Sequence, residues 1–504
     1  MSILYSLAHC SSLSYAVRVE SNVVRDPRRW WILGVLCLSL LVLMLDSTVL
    51  NLAIPSLIRE LGATPSDVQW ILDAYVLVFA GLLLTAGSLS DRFGRRRMLI
   101  YGLAVFGVAS LAAVLATEPW HVVAARVAMG IGGSLLMPST LSILMTTFAE
   151  DERRKAMAAW STVSMVGIVA GPTLGGLLLQ HYWWGSVFLL NIPVAVLAIV
   201  AALVLMPEST GEQRPVDLVG VLLSIVALVS TVYVIIEREW NIGMIALAVL
   251  TAIGFVVWES RSEHPMLPLA VFRNRDFTGT AFTLLLMVFG MGAVMLMLTQ
   301  YLQFVLGYGP MKAGLALLPY AVAAAVCNGL GATLGKKISN KALIVSGLLI
   351  MAGAFAILAI GEGYLWILVS MLVMGIGGGL AGPAAYTSIM SAIPLEHAGV
   401  GSAMNDTLQQ VGMAISIAIL GSVLAGVFTD HMPTDAPAAA RESIGAAFQL
   451  GFGEAAKDAF TTAMSTGSWI SAGFCVAAAV LGVTLLRTRK PSAGLPQADT
   501  VEVG

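Results

Sequence analysis

Fourteen apolar runs, separated by charged or turn-rich breaks, constrain this chain more than any other feature of it. Crossing about 30 Å of hydrocarbon at about 1.5 Å per residue takes roughly 20 mostly apolar residues in a helix. Runs that meet or approach this length fall at 31–55, 68–89, 98–115, 122–147, 157–179 and 187–206. Two shorter ones follow at 218–236 and 242–257, and six more at 277–305, 313–334, 343–360, 365–389, 401–428 and 464–486. Only 11% of the residues are charged and 58% are hydrophobic, against about 25% charged in an average soluble domain. So few charges cannot cover a water-soluble surface. The expected fold is all-α and multi-pass in a lipid bilayer, with fourteen crossings.

The breaks divide the chain into a tail at 1–29, a six-helix bundle at 30–206, two inserted helices at 207–258, a linker at 259–276, a second six-helix bundle at 277–486 and a tail at 487–504. Residues 1–29 mix polar and apolar side chains without a clean hydrophobic stretch before a cleavage site, so they read as a cytosolic tail. Of the 27 Lys and Arg, Arg59, Arg238, Lys312, Arg441 and Lys457 fall on one side of the membrane and Arg126 inside a span. All the others share the opposite side. Basic loops stay in the cytosol, so both termini are expected there, at the plasma membrane.

Other classes of function find little support. Net charge is −2 and no basic run is interleaved with aromatics, which argues against nucleic acid as a partner. Cys37, Cys327 and Cys475 sit inside apolar spans and Cys10 in the N-terminal tail, which disfavours a disulfide framework or a thiolate metal site. The six histidines do not cluster with acids or cysteines, and no catalytic triad, P-loop or dinucleotide fingerprint is present. Neither an enzyme nor an ATP-driven pump is expected, and no cofactor is implied.

The two blocks of six are related by an internal repeat. Gly130-Ile131-Gly132-Gly133 with Pro138 recurs 245 residues later as Gly375-Ile376-Gly377-Gly378 with Pro383, and the same shift carries Gly167 to Gly412. Duplicated six-helix halves make a pseudo-symmetric scaffold with a site between them, a layout that suits alternating access.

Ionisable residues inside the spans carry the sharpest chemical signal. An Asp at the bilayer centre costs ~2.5–3.5 kcal/mol on insertion scales, so each one present is a functional candidate. Asp46 lies deepest, while Asp73 and Arg126 are placed about one turn inside one face and Asp406 about one turn inside the other. Asp406 shares a polar stripe with Asn405, Gln409 and Gln410, or else caps its helix. Asp73 is either functional or hydrated at the interface, and Arg126 either tunes a carboxylate or snorkels to the headgroups. Asn51 lines a cavity or bonds across helices.

The loop Gly87-Ser88-Leu89-Ser90-Asp91-Arg92-Phe93-Gly94-Arg95-Arg96-Arg97 makes a tight turn whose arginines cannot enter the membrane. Asp91 stands among four cations and either caps the positive end of a neighbouring helix, the span beginning near Gly401, as a gate, or belongs to a passive turn that anchors the loop inside. In a later span Gly167, Gly171, Pro172, Gly175 and Gly176 offer a kink and close helix approach.

These motifs carry a resemblance. The loop from Gly87 to Arg97 resembles the signature loop of the major facilitator superfamily. Leu45-Asp46-Ser47-Thr48-Val49-Leu50-Asn51-Leu52-Ala53-Ile54-Pro55 resembles the first-helix motif of its fourteen-helix drug:proton antiporters. Arg126 with Gly130 is similar to the fourth-helix motif, the run from Gly167 to Gly176 to the fifth-helix antiporter motif, and Trp70 to Tyr75 to the second-helix start of multidrug and quaternary-ammonium efflux members. The resemblance spans residues 30–486. It implies the major facilitator fold and a proton-coupled antiporter, functional as a monomer, that exports lipophilic and often cationic molecules on the proton gradient. Asp46 would then be the carrier. Burial favours the neutral carboxyl and a neighbouring cation the ionised one, so one site can hold a proton or a cationic drug in turn. A dedicated exporter of one metabolite, such as an antibiotic, lipid or siderophore, is the alternative on the same scaffold, and an uncoupled sensor or channel is a third reading. Some quaternary-ammonium pumps carry another carboxylate in the tenth span, but 313–334 holds no Asp or Glu, which weakens the expectation that dications are handled.

Overall fold

The computed structural model describes residues 27–211, 217–237, 241–262, 265, 269–335, 337–391 and 398–487. Nearly all of both tails, and residues 263, 264 and 266–268 of the expected linker at 259–276, lie outside these residues.

Fourteen long helices follow one another: α1 Arg29–Leu61, α2 Pro65–Phe93, α3 Arg95–Val114, α4 Pro119–Thr147, α5 Glu150–His181, α6 Ser186–Leu205, α7 Leu218–Glu237, α8 Ile242–Arg261, α9 Arg275–Val305, α10 Pro310–Leu334, α11 Asn340–Ile360, α12 Tyr364–Ser391, α13 Ala398–His431 and α14 Gly453–Leu485. Thirteen of them are long and apolar enough to cross a membrane by length and composition. The other, α5, has 32 residues and runs inside the bundle against α1 and α10, so the order fits fourteen crossings. α6 is interrupted at Leu190, and α9 ends in a π-helical turn, Tyr301–Val305.

Local chemistry explains the ends. α1 stops at Gly62, whose left-handed backbone (φ 68°) a side chain would disfavour. Two residues later the Thr64 hydroxyl accepts from the Asp67 N–H while the Asp67 carboxylate accepts from the Thr64 N–H, with Pro65 in the first helical turn. Several helices exceed the apolar runs that announce them. α1 passes through Pro55 to Leu61, because losing one backbone donor kinks or weakens a helix without ending it. α14 begins eleven residues before the run at 464, and there Lys457 pairs with Glu454 at 2.7 Å along the helix.

Helix neighbours repeat between the halves. In the first, α3 packs on α4, α2 on α4, α1 on α5, α3 on α6 and α1 on α6; in the second, α11 packs on α12, α10 on α12, α9 on α13, α11 on α14 and α9 on α14. The repeated glycines sit at these contacts. A Cβ on Gly132 would meet the Gly102 carbonyl at 2.7 Å, and one on Gly377 the Gly347 carbonyl at 2.6 Å. Gly130 lies against the Tyr75 carbonyl and Gly375 against the Tyr320 carbonyl, at 2.8 and 2.6 Å. Each of these pairs is displaced by the same 245 residues as the sequence repeat. The repeated motif is therefore a packing device that brings α3 and α4, or α11 and α12, into backbone contact.

The halves meet along two seams, α2 with α13 and α5 with α10, which the pseudo-two-fold exchanges. Described contacts across the seams lie on the side remote from the arginine loop. There Gly421 faces the Gln69 side chain, Gly176 the Pro310 carbonyl, and Gln303 donates to the Leu52 carbonyl at 3.1 Å. Two short helices, Ala438–Glu442 and Ile444–Gln449, cover this side, with Gly445 against Ile58.

Of the inserted pair, α7 packs on both α2 and α13, while α8 packs chiefly on α7. Glu237 at the end of α7 accepts from Ser66 Oγ at 2.8 Å and Trp70 Nε1 at 2.7 Å, and Ser422 Oγ on α13 donates to the Ile235 carbonyl at 2.9 Å. The insert is thus seated on a seam between the halves.

Candidate functional site

A continuous polar cluster lies in the middle of the first half. Asp46, half-way along α1, is 4% exposed, and Arg126 on α4 and Asn191 on α6 are each 2% exposed. Arg126 Nη1 donates to Asp46 Oδ2 at 2.6 Å, and Asn191 Nδ2 donates to Asp46 Oδ1 at 2.9 Å. The same Asn191 nitrogen is 3.3 Å from Ser110 Oγ on α3. Arg126 Nε donates to the Ile71 carbonyl at 3.0 Å, and its guanidinium lies 4.2 Å from the centre of the Tyr75 ring. Five helices therefore contribute to one ion pair. Taking two charges out of water is costly, and here each is answered by a second hydrogen bond or a ring face.

This geometry decides between readings that the residues alone left open. Arg126 does not snorkel; it is buried and bonded to Asp46. Asp73 is not hydrated at an interface either. It is fully buried, and neither carboxylate oxygen has a hydrogen-bond partner among the described residues. Among the described residues Asn51 makes no bond across helices: its Nδ2 donates to the Ser47 carbonyl of its own helix at 3.0 Å.

Asp406 lies two turns into α13, which begins at Ala398, so it does not cap that helix. Its Oδ1 accepts from Asn405 Nδ2 at 3.1 Å, with Gln409 and Gln410 half-buried one turn on. Asp406 and Gln409 belong to the second half and no described hydrogen bond joins them to the Asp46 cluster. Among the aromatic side chains, Tyr75 joins the cluster, Tyr301 accepts from the Gly363 N–H at 3.2 Å, and Tyr386 is exposed.

The arginine loop is docked rather than free. Asp91 Oδ1 accepts from Arg95 Nε at 2.8 Å, and the Asp91 carbonyl accepts from the Gly211 N–H. Glu208, in the link after α6, accepts from the Arg96 N–H at 3.0 Å and lies 3.6 Å from Arg97 Nε. Gly94 has a left-handed φ of 106° and faces the same carboxylate, while Gly87 lies against Pro138 and Arg92 stacks on Phe93. The capping contact expected between Asp91 and the start of α13 falls on side chains 398–403, outside the described residues.

The glycine-rich run of α5 is a double packing face. Gly167, Gly171 and Gly175 lie against Met44, Thr48 and Val49 of α1, while Gly176 and Pro172 face Met311 and Gly314 of α10. The segment therefore wedges between the Asp46 helix and the second half.

The profile of the Major Facilitator Superfamily matches residues 36–417. The chain belongs to the major facilitator superfamily. Membership makes it a transporter and not an enzyme. This facilitator is 32% identical to the multidrug efflux pump LfrA of Mycolicibacterium smegmatis, over 94% of its own length and 100% of the relative's. It is 36% identical to the puromycin resistance protein pur8 of Streptomyces alboniger, over 83% and 86% of the two chains. Its fold is similar to the inward-facing, occupied crystal structure of a bacterial homologue of the lysosomal transporter Spinster, with a TM-score of 0.66 at 18% identity, covering 92% of this facilitator and 98% of that chain.

Motif matching did not reveal Asn191 and Ser110. The available signal was one amide in an otherwise apolar run, 187–206.

Proposed function

We propose that this facilitator is a proton-coupled antiporter that exports lipophilic, often cationic drugs across the plasma membrane by alternating access. Both termini would lie in the cytosol, the side on which the sequence concentrates its basic loops. The observation that carries the reading is the Asp46–Arg126 pair at 2.6 Å in mid-bundle. A carboxylate held by a fixed cation can be neutralised by a proton, and that release changes the charge of the site without moving the arginine. The gradient suffices as a driving force with no bound cofactor, since one charge crossing 100 mV carries ~2.3 kcal/mol. The seam contacts described on the side remote from the arginine loop support a state closed to the exterior. The similarity to a multidrug efflux pump supports drugs as the cargo.

The similarity to a puromycin resistance protein favours a second reading, a dedicated exporter of one compound. Inside-out vesicles under an acid-inside gradient separate the two. Gradient-dependent uptake of an ethidium-like cation that disappears in Asp46→Asn supports the antiporter. Uptake of one metabolite and no dye supports the dedicated exporter, and uptake unchanged in Asp46→Asn overturns the mechanism.

A further inference from the structure

If Asp46 takes up and releases a proton, as the antiport reading on which this inference rests requires, its neighbours must fit both of its forms. The ionised carboxylate only accepts hydrogen bonds; the protonated one has an O–H to donate. Arg126 has donors and no acceptor, so it answers the ionised form alone. Tyr75 turns its ring to the guanidinium and its hydroxyl toward Gly133, so it does not answer the O–H either. The remaining neighbour is Asn191, whose amide carries a donor at one end and an acceptor at the other.

We propose that Asn191 is the positioning residue for the coupling proton. Its amide, backed by the Ser110 hydroxyl, donates to ionised Asp46 and, turned over, accepts from protonated Asp46. In the state described here Nδ2 is directed at Asp46 Oδ1, with Ser110 Oγ accepting from the same nitrogen. A hydronium ion gives its proton to Asp46 Oδ1 and leaves as water. The new O–H then donates to the Asn191 carbonyl oxygen, which has rotated into the place of Nδ2, and the Ser110 hydroxyl reverses to donate to that oxygen as well. Arg126 loses its ionic partner but keeps the Ile71 carbonyl and the Tyr75 face. Deprotonation runs the same steps backwards. All three side chains are buried, Ser110 fully, so the amide and the hydroxyl are the groups held in place beside the carboxyl.

The test uses the full-length protein reconstituted in liposomes, comparing wild type with Asn191→Leu, Ser110→Ala and Asp46→Asn. Infrared difference spectra between acid and alkaline states identify the Asp46 carboxyl band as the one missing in Asp46→Asn. Asn191→Leu should move that band to higher frequency, as for an O–H without an acceptor, and Ser110→Ala should move it part of the way. Ethidium exchange should lose about tenfold in turnover in Asn191→Leu, with the half-saturating concentration within about twofold of wild type. An unmoved band, or no Asp46 band in wild type, overturns the proposal. If Asn191→Leu does not accumulate, an unmoved band in Ser110→Ala does the same. Absence of gradient-driven exchange in wild type would instead overturn the antiport reading, while the band still reports the Asn191 contact.

Discussion

Arg126 on α4 reaches back to α2 at two points while it holds Asp46 on α1: its Nε bonds the Ile71 carbonyl and its plane lies on the Tyr75 ring. The arginine is fixed independently of the carboxylate it neutralises. Asp46 is thus paired with a charge that other contacts hold in place.

Breaking this pair from one side should harm folding more than breaking it from both. Removing one partner of a buried pair strands a charge at a cost of ~3–5 kcal/mol, whereas replacing both with apolar groups is often neutral. Arg126→Met should therefore lower the melting temperature of the purified protein sharply. Asp46→Leu combined with Arg126→Met should recover most of it. Neither variant should transport, as a vesicle uptake assay would show.

The repeated glycines predict a matched set of packing defects. Gly132→Ala and Gly377→Ala each push a methyl toward a backbone carbonyl, at 2.7 and 2.6 Å, so each should destabilise by about 1–3 kcal/mol. Gly378 has nothing within 4 Å of its Cβ direction, so Gly378→Ala is the control and should leave the thermal midpoint unchanged.

Glu237→Ala should loosen α7 from α2. It deletes the acceptor for both Ser66 and Trp70 and leaves the Trp70 N–H facing empty space, a loss of about 1–3 kcal/mol. Accelerated hydrogen exchange at the 230–237 end of α7, with the α1 core unchanged, is the expected result.

Glu208→Ala should free the arginine loop without unfolding the protein. The carboxylate is partly exposed and its ion pair with Arg97 is long, so the stability change should stay below about 1 kcal/mol. Trypsin cleavage after Arg95–Arg97 should rise in inside-out vesicles and remain absent in right-side-out cells.

Much of this architecture was legible in the amino-acid order. A charge in an apolar run is costly enough to announce itself, which is how Asp46 and Arg126 stood out although 80 residues separate them. The GIGG repeat announced the halves because close backbone approach demands the same small residues at both places. Asn191 was not legible as a partner of Asp46: an amide carries no charge, and the pair is 145 residues apart. The burial of Asp73 was open in the sequence, because an apolar run does not show which helices pack against it. Helix α2 begins three residues earlier than its run, at Pro65, and packs on α4, α13 and α7. The seat of α7 on the α2–α13 seam left no trace either, since a helix facing protein and one facing lipid are equally oily.

Helices α7 and α8 come as a pair, and the parity matters. Each crossing reverses the chain's direction, so only an even insert lets α9 start from the same face as α1 and keeps GIGG at the same depth in both halves. A descendant that shed α8 alone would deliver its second half upside down, with the two carbonyl-to-glycine contacts aimed at opposite compartments. Loss of both would keep the transporter's polarity and remove only the brace.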